Sequence, residues 1–173
     1  MLPGLILIEP RVFTDERGYF FESWSKAKYD ELIGPVDFIQ DNESQSVRGT
    51  LRGLHYQREP FAQSKLVRVI QGSVFDVAVD IRPGSPTFGQ WYGVELSAEN
   101  KRQLFIPKGF AHGFLVLSDT AIFSYKVDAP WNKDSEAAIR WNDPSIGIEW
   151  PMADGELILS EKDRNAGWLT LDA

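Results

Sequence analysis

The chain has 173 residues, of which 43% are hydrophobic, and its 6 Trp, 11 Phe and 5 Tyr supply the apolar area that a globular core needs. Its formal charge of −7 opposes binding to nucleic acid or to an anionic membrane, so any phosphate ligand must be small and met by a local basic cluster. The absence of Cys excludes disulfides, thiolate catalysis and Cys-ligated metals and, with no apolar run of 18 residues, favours a cytoplasmic protein.

The first quarter of the chain predicts a strand, a turn, a helix and an extended segment. Residues 5–12 have a strand pattern, and residues 14–18 are rich in turn formers. A helix is expected over residues 25–33, with its first serine as the N-cap and the following Gly-Pro pair as its stop. Residues 38–46 are polar and extended, as expected for a strand that lines a wet pocket.

From residue 66 onward the pattern is that of antiparallel β structure. A strand at 66–70 is followed by a Gln-Gly turn and by SVFDVAVDI at 73–81, whose side chains alternate between two faces. Further strands are expected at 90–96, 103–106, 113–117 and 121–127. Many short strands and few short helices predict a mainly β fold, a sandwich or barrel of jelly-roll type, in a single domain over residues 1–173.

The chain has only two histidines, His55 and His112, and each follows a small-residue turn that leads into a strand. Metal-binding cupins use a His-x-His pair, but Gly53 and Gln57 stand two residues either side of His55, so metal dependence is disfavoured. A neutral imidazole held by a carboxylate is a good general base near neutral pH. A half-buried structural histidine is an equally open interpretation.

Two cations accompany His55 along the chain. Arg52 lies three residues before it, and Lys65 lies ten residues after it at the start of the next strand. Two cations near a base suit a reaction that develops negative charge, such as enolate formation, beside an anionic ligand. The simpler interpretation of both residues is an ordinary solvated surface.

Six strings of the sequence together match the pattern of one protein family: DERGYFFE, QDNESQSVRGTLRGLHYQ, AQSKLVRVIQGSVFDVAVDIR, FIPKGFAHGFLVLSD, IRWNDPSIGIEWP and LSEKD. They closely resemble the dTDP-4-dehydrorhamnose 3,5-epimerases, which are metal-free sugar-nucleotide epimerases of the cupin superfamily. The resemblance runs in order from about residue 5 to about residue 165. It implies a cupin-type antiparallel jelly-roll barrel, no cofactor, and inversion of C3 and C5 beside the 4-keto group of a dTDP-linked 6-deoxyhexose.

The resemblance implies four catalytic residues. His55 is the base that removes the proton next to the ketone, and Asp163 orients its ring and stabilises the imidazolium. Tyr125 is the acid on the opposite face of the sugar, and Lys65 is the cation near the developing enolate. From the residues alone, residues 160–163 are a helix capping box, a role that one carboxylate cannot easily combine with holding a histidine.

The resemblance also implies a substrate-binding set: Arg17, Glu22, Gln40, Asn42, Arg52, His112, Trp131, Glu136 and Lys162. Arginine suits a pyrophosphate because its planar fork donates two hydrogen bonds to one phosphate, whereas Glu and the amides suit hydroxyls and base edges. Many members of the family have two consecutive Tyr where this chain has Pro130-Trp131. Trp131 can stack on thymine in place of the second Tyr, but the loss of the first leaves the inversion of both carbons open.

Three other functions are compatible with the sequence, and the resemblance also implies an oligomeric state. A mono-epimerase would invert only C3 or C5, a non-catalytic sugar-nucleotide-binding cupin would not need the chemistry of His55, and a metal-dependent cupin oxygenase is the third alternative. The family forms homodimers in which the N-terminal strands cross to the partner's sheet. The resemblance therefore implies that residues 17–22 serve the pocket of the neighbouring subunit.

Overall fold

A computed structural model describes residues 1–151 and 157–170, which form two five-stranded antiparallel sheets, a separate β-hairpin and two helices. The strands are β1 Ile6–Ile8, β2 Phe13–Asp15, β3 Gly18–Phe20, β4 Gln40–Val47, β5 Leu51–Gln57, β6 Lys65–Gln71, β7 Ser73–Asp80, β8 Trp91–Ser97, β9 Gln103–Ile106, β10 Phe110–Val116, β11 Thr120–Val127 and β12 Glu136–Ala138. The helices are α1 Lys26–Ile33 and α2 Glu161–Arg164.

The two large sheets have the orders β1-β9-β6-β11-β4 and β12-β5-β10-β7-β8. From β4 to β12, every connection except that from β7 to β8 passes from one sheet to the other, which is the connectivity of a jelly roll. Every pairing within these two sheets is antiparallel. The mainly β, antiparallel jelly-roll fold expected from the strand pattern is confirmed.

The space between the sheets is filled by side chains from alternate positions on the strands. Val67 from one sheet and Val74 from the other belong to one buried apolar cluster, in which Phe114 and Phe123 stack with ring centroids 4.2 Å apart. The same alternation brings polar side chains inside, because Asp76 lies two residues beyond Val74 on β7 and is fully buried. The interior is therefore apolar over part of its length and polar over the rest.

Two further clusters cover the outer faces of the sheets. Leu51, Val77 and Trp150 belong to the cluster outside the sheet that contains β5, β10 and β7. On the other sheet, Tyr29 of α1 packs with Phe105 of β9. Apolar packing on their outer faces thus stabilises both sheets. Their interior faces can therefore carry polar groups.

The N-terminal region differs most from its sequence prediction. The first strand covers only Ile6–Ile8 and not residues 5–12, because Pro10 has no N–H for a ladder hydrogen bond. The turn expected at residues 14–18 was wrong in extent, since Thr14 and Asp15 pair with Tyr19 and Gly18 in the β2–β3 hairpin.

The predicted helix is present as α1, one residue shorter than expected. Ser25 occupies the N-cap position as predicted, although its side chain makes no capping hydrogen bond. Gly34 ends the helix with φ of 82°, a conformation that favours glycine. The expected strand at 113–117 starts three residues earlier, at Phe110, which brings His112 into the middle of β10.

Candidate active site

His55 and Asp163 are 108 residues apart in the chain but meet in the fold, with His55 Nε2 2.5 Å from Asp163 Oδ1. The side chain of Asp163 is 4% exposed, whereas that of His55 is 33% exposed. Burial by itself would raise the pKa of the Asp163 carboxyl, but the hydrogen bond and charge of His55 hold that pKa below its ordinary value. Asp163 therefore stays ionised and can stabilise a protonated His55.

The short helix α2 delivers Asp163 to this position. Ser160 Oγ accepts a hydrogen bond from the backbone N–H of Asp163 at 3.1 Å, so the serine caps the helix as the sequence pattern predicts. The Asp163 carboxylate contacts His55, and hydrogen bonds from Ser160 and the backbone of Gly53 also help to lower its pKa. The cap and the catalytic interpretation of LSEKD are compatible because different atoms of Asp163 serve them.

His112 lies directly across from His55, in register on β10, and has a carboxylate of its own. Its Nε2 is 2.8 Å from Asp76 Oδ2, and the side chains of His112 and Asp76 are 7% and 0% exposed. Burial is the largest influence on the His112 imidazole and, with the charges of Lys65 and His55, lowers its pKa below the ordinary value against the opposing effect of Asp76. His112 is therefore neutral near pH 7.

Lys65 is the first residue of β6 and is 9% exposed. Within residues 1–151 and 157–170, no carboxylate lies within 4.0 Å of its ammonium. Burial lowers the pKa of Lys65 to about 8, against the opposing effect of the Asp76 and Glu136 charges. Lys65 is thus a buried, unpaired cation, which suits the stabilisation of an oxyanion.

Tyr125 lies on β11, in the sheet opposite to that of His55. Burial raises the pKa of its hydroxyl, and a hydrogen bond with Asn42 and the charge of Arg52 offset only part of that rise. Asn42 is the cross-strand partner of Tyr125 on β4, and Gln40 donates a hydrogen bond to Asn42 at 2.8 Å. Tyr125 is protonated at neutral pH and able to act as an acid from the wall opposite the base.

Charged groups and one exposed aromatic ring lie near His55 and Tyr125, and we call them the rim of the pocket. Arg52 donates from Nε to Ser46 Oγ at 3.0 Å, and Lys162 pairs with Glu136 at 2.6 Å. Burial alone would raise the pKa of the Glu136 carboxyl, but Lys162 and a hydrogen bond with Trp131 bring it below its ordinary value. Trp131 is 59% exposed. This rim offers cations for phosphates and an aromatic face for a base.

Comparison with known proteins identifies the family. A model of the family described as dTDP-4-dehydrorhamnose 3,5-epimerase matches residues 1–170. The chain is 60% identical over 164 residues to the dTDP-4-dehydrorhamnose 3,5-epimerase of Pseudomonas aeruginosa, covering 94% of this chain and 90% of that one. The chain belongs to the dTDP-4-dehydrorhamnose 3,5-epimerase family. The family expected from the sequence strings is thereby confirmed.

Solved structures of this epimerase family share the fold. The chain superposes on dTDP-6-deoxy-D-glucose-3,5-epimerase RmlC from Legionella pneumophila, in complex with dTDP-4-keto-L-rhamnose, with a TM-score of 0.94 and 53% identity over 99% of this chain and 89% of that one. ChmJ, a 3'-monoepimerase from Streptomyces bikiniensis in complex with dTDP-quinovose, gives a TM-score of 0.89 with 35% identity over 98% of this chain and 84% of that one. The fold is common to both activities, while sequence identity favours the 3,5-epimerases.

Most of the expected epimerase residues lie on the interior strands, on α2 or on the β11–β12 connection, but Arg17 and Glu22 stand apart. The Arg17 side chain is 85% exposed and pairs with Asp15, and Glu22 pairs with Lys28. Among the described residues, neither makes a hydrogen bond or ion pair to any of the four expected catalytic residues. Their role in a neighbouring subunit stays a prediction.

Two residues that hold parts of the candidate site in place were missed by the sequence interpretation. Asp76 was noted only as part of a strand pattern, although a carboxylate flanked by apolar residues in the middle of a strand is the signal that could have found it. Gln57 donates to the carbonyl oxygens of Phe61 and Pro130 and accepts from the N–H of Asn132. Gln57 thereby ties the loop that carries Trp131 to β5, a contact that sequence spacing does not reveal.

Two further findings concern membrane-spanning helices and metal sites. No helix within residues 1–151 and 157–170 is long and apolar enough to cross a membrane. In the same part of the chain, no three His, Cys, Asp or Glu side chains are grouped so that they could hold a metal ion.

Proposed function

We propose that the chain inverts C3 and C5 of dTDP-4-dehydro-6-deoxy-D-glucose to give dTDP-4-dehydro-L-rhamnose. The observation that carries this proposal is the His55–Asp163 pair on one wall of the barrel, facing the sheet that carries Tyr125 and the unpaired Lys65. Membership of the epimerase family and the sugar nucleotide bound to the Legionella relative support the choice of substrate.

The same proton chemistry serves each carbon. His55 Nε2 is held by Asp163, so the imidazole accepts the C–H proton made acidic by the neighbouring ketone, and the C–H bonding pair moves to form an enolate. The Lys65 ammonium stabilises the negative charge on the enolate oxygen. Tyr125 then donates its proton to the carbon from the opposite face, which inverts the centre and re-forms the ketone.

The nucleotide would be held at the rim of the pocket. Arg52 and Lys162 are cations that the family resemblance places at the nucleotide, and both suit the pyrophosphate. Trp131 would stack on the thymine, and His112, Gln40 and Asn42 would contact the sugar from the interior strands. These assignments follow the family resemblance residue by residue, and a substitution at each position can test them.

We further propose that the active protein is a homodimer. The β2–β3 hairpin belongs to neither large sheet and exposes Phe13, Tyr19 and Phe20 at 52%, 58% and 67%. Exposed aromatic residues on a free hairpin are unfavourable in water, and contact with a second subunit would bury them. In that assembly Arg17 and Glu22 complete the pocket of the neighbouring subunit. The cytoplasmic location expected from the composition stays a prediction.

A direct assay tests the proposed function. Purified protein is incubated with dTDP-4-dehydro-6-deoxy-D-glucose, and the configuration at C3 and C5 is followed by NMR. The proposal expects inversion at both carbons, and inversion at one carbon alone would select the mono-epimerase instead. A matched His55→Asn protein should leave the substrate unchanged, whereas conversion by that variant would remove His55 from its role as the base.

A further inference from the structure

Asp76 is a buried carboxylate for which the family assignment gives no role. Its side chain is 0% exposed on the interior face of β7, where its Oδ2 contacts His112 Nε2. Its other oxygen, Oδ1, is buried and has no hydrogen-bond partner within the part of the chain that the structure describes. A buried carboxylate with an unused acceptor destabilises a fold relative to an apolar residue, which favours a role in the pocket.

Asp76, His112 and His55 lie on three neighbouring strands, β7, β10 and β5; His112 is the cross-strand partner of His55, and Asp76 is diagonal to it, two residues from the register partner of His112 on β7. Because an ionised carboxylate only accepts hydrogen bonds, the contact with Asp76 requires a proton on His112 Nε2. His112 is neutral near pH 7 because burial lowers its pKa, so its Nδ1 keeps a free lone pair. Asp76 therefore decides which nitrogen of His112 donates and which accepts.

The charge of Asp76 is also complementary to that of Lys65. The charges that act on Lys65 are those of Asp76 on β7 and Glu136 on β12, and the charges of Lys65 and of His55 on β5 act in turn on His112 on β10. Glu136 already pairs with Lys162 at 2.6 Å, and neutral His112 does not neutralise Asp76. Among residues 1–151 and 157–170, Asp76 and Lys65 are thus a negative and a positive group with no other charged partner within 4.0 Å.

We propose that Asp76 is a positioning residue of the epimerase pocket, which holds His112 with its proton on Nε2 and supplies the negative charge that faces the Lys65 ammonium. The inference rests on the proposed function, because Asp76 acts on the sugar only through Lys65 and His112. It assigns the two histidine–carboxylate pairs different tasks: the accessible pair moves protons, and the buried pair sets hydrogen bonding and charge.

The charge role is tested by the pH dependence of kcat in Asp76→Asn. This variant keeps the shape and one acceptor oxygen but removes the charge, so Lys65 loses its proton at lower pH. The alkaline fall in kcat should move down by about one pH unit or more relative to the wild-type protein. Asp143→Asn is the matched control, since Asp143 is also buried but is held by Ser145 and Leu169 outside the pocket. An alkaline fall in Asp76→Asn that matches the wild-type and control profiles would overturn the charge role.

The tautomer role is tested by NMR of protein labelled with 15N-histidine. With only two histidines in the chain, the spectrum of a His55→Asn variant assigns both imidazoles. His112 should be neutral and protonated on Nε2 from pH 6 to pH 8 in the wild-type protein. A charged His112, or one protonated on Nδ1, at pH 7 contradicts the inference.

The NMR result does not depend on turnover or on the folding of a variant at position 76. If the wild-type protein fails to epimerise the sugar, the proposed function falls while the spectrum still decides the tautomer. If the wild-type protein turns over and Asp76→Asn keeps the wild-type profile, the inference about Asp76 falls alone. If Asp76→Asn does not fold, the wild-type spectrum remains decisive.

Discussion

His55 and His112 are cross-strand neighbours with a carboxylate each, but the His55 side chain is 33% exposed and the His112 side chain 7%. Only His55 therefore combines a charged partner with access to a ligand. This difference in exposure gives the two histidines different expected contributions to catalysis.

Replacement of His55 should remove the base. His55→Asn is expected to lower kcat by at least about a hundredfold, the typical effect of losing a general base. Steady-state kinetics on the dTDP-sugar measure it, with circular dichroism to verify the fold. His112→Asn is the comparison, and we expect it to affect KM more than His55→Asn does. Near-normal turnover by His55→Asn would contradict the assigned base.

Replacement of Tyr125 should separate proton removal from inversion. Tyr125→Phe keeps the ring in the interior but lacks the proton donor, so net inversion should fall at least about a hundredfold. His55 can still remove a proton and return one from the same face, so deuterium from solvent should enter with retained configuration. NMR in deuterated water distinguishes the two events. Normal inversion by this variant would exclude Tyr125 as the acid.

The alkaline limit of activity should report Lys65. Its pKa is about 8, so the charged form that stabilises the enolate is present below that pH and is lost as the pH rises through it. Burial raises the pKa of Tyr125 above its ordinary value, so the tyrosine titrates at higher pH. Lys65→Arg keeps its charge throughout this range, and whatever activity it retains should not fall near pH 8. A fall at the same pH in Lys65→Arg would assign the titration to another group.

The proposed sharing of Arg17 between subunits predicts complementation. Arg17→Ala should chiefly raise KM, because the role proposed for its side chain is to bind substrate and not to transfer protons. Co-refolding Arg17→Ala with His55→Asn should regenerate intact sites, up to about a quarter of the total for random dimers. Activity of the mixture above the sum of the two variants supports a site built from two subunits. Strictly additive activity, with dimers verified by sedimentation, would contradict it.

A buried carboxylate outside the pocket should stabilise the fold. Asp80 is 0% exposed and accepts hydrogen bonds from Arg82, Ser85 and Thr87. Asp80→Ala should therefore lower the free energy of unfolding by about 2 kcal/mol or more, as measured by urea denaturation.

The same carboxylate should make stability depend on acid pH. Burial opposes ionisation of Asp80, but its hydrogen bonds lower its pKa, so its contribution is present above about pH 4 and is lost as the pH falls further. Asp119→Ala is the control, because it removes only an exposed ion pair with Arg48 and should cost less than about 1 kcal/mol. Equal losses for the two variants would contradict the role of the Asp80 network.

The sequence predicted the sheets better than it predicted the N-terminal hairpin, and burial explains the difference. SVFDVAVDI alternates because one face of β7 meets the interior and the other meets the outer cluster, so the pattern is visible without a structure. Every residue of β2 and β3 is exposed, so no alternation indicates that they pair. A hairpin whose residues are all exposed carries no such signal.

The site was predictable only through the family resemblance. From the residues alone, Asp163 looks like a capping residue, and that cap exists, but its carboxylate finds His55 only when α2 is brought to β5. Asp76 was missed because its partner, His112, lies 36 residues away and is revealed by the register of β7 and β10. Spacing in sequence does not encode contacts that depend on strand register.

The measurement that tests the central claim most directly is deuterium incorporation from solvent into dTDP-4-dehydro-6-deoxy-D-glucose, followed by NMR at C3 and C5. The 3,5-epimerase assignment predicts deuterium at both carbons with inverted configuration. It predicts no deuterium at either carbon when His55→Asn replaces the wild-type protein. Stable incorporation at one carbon alone, or at neither carbon in a folded preparation, would contradict it.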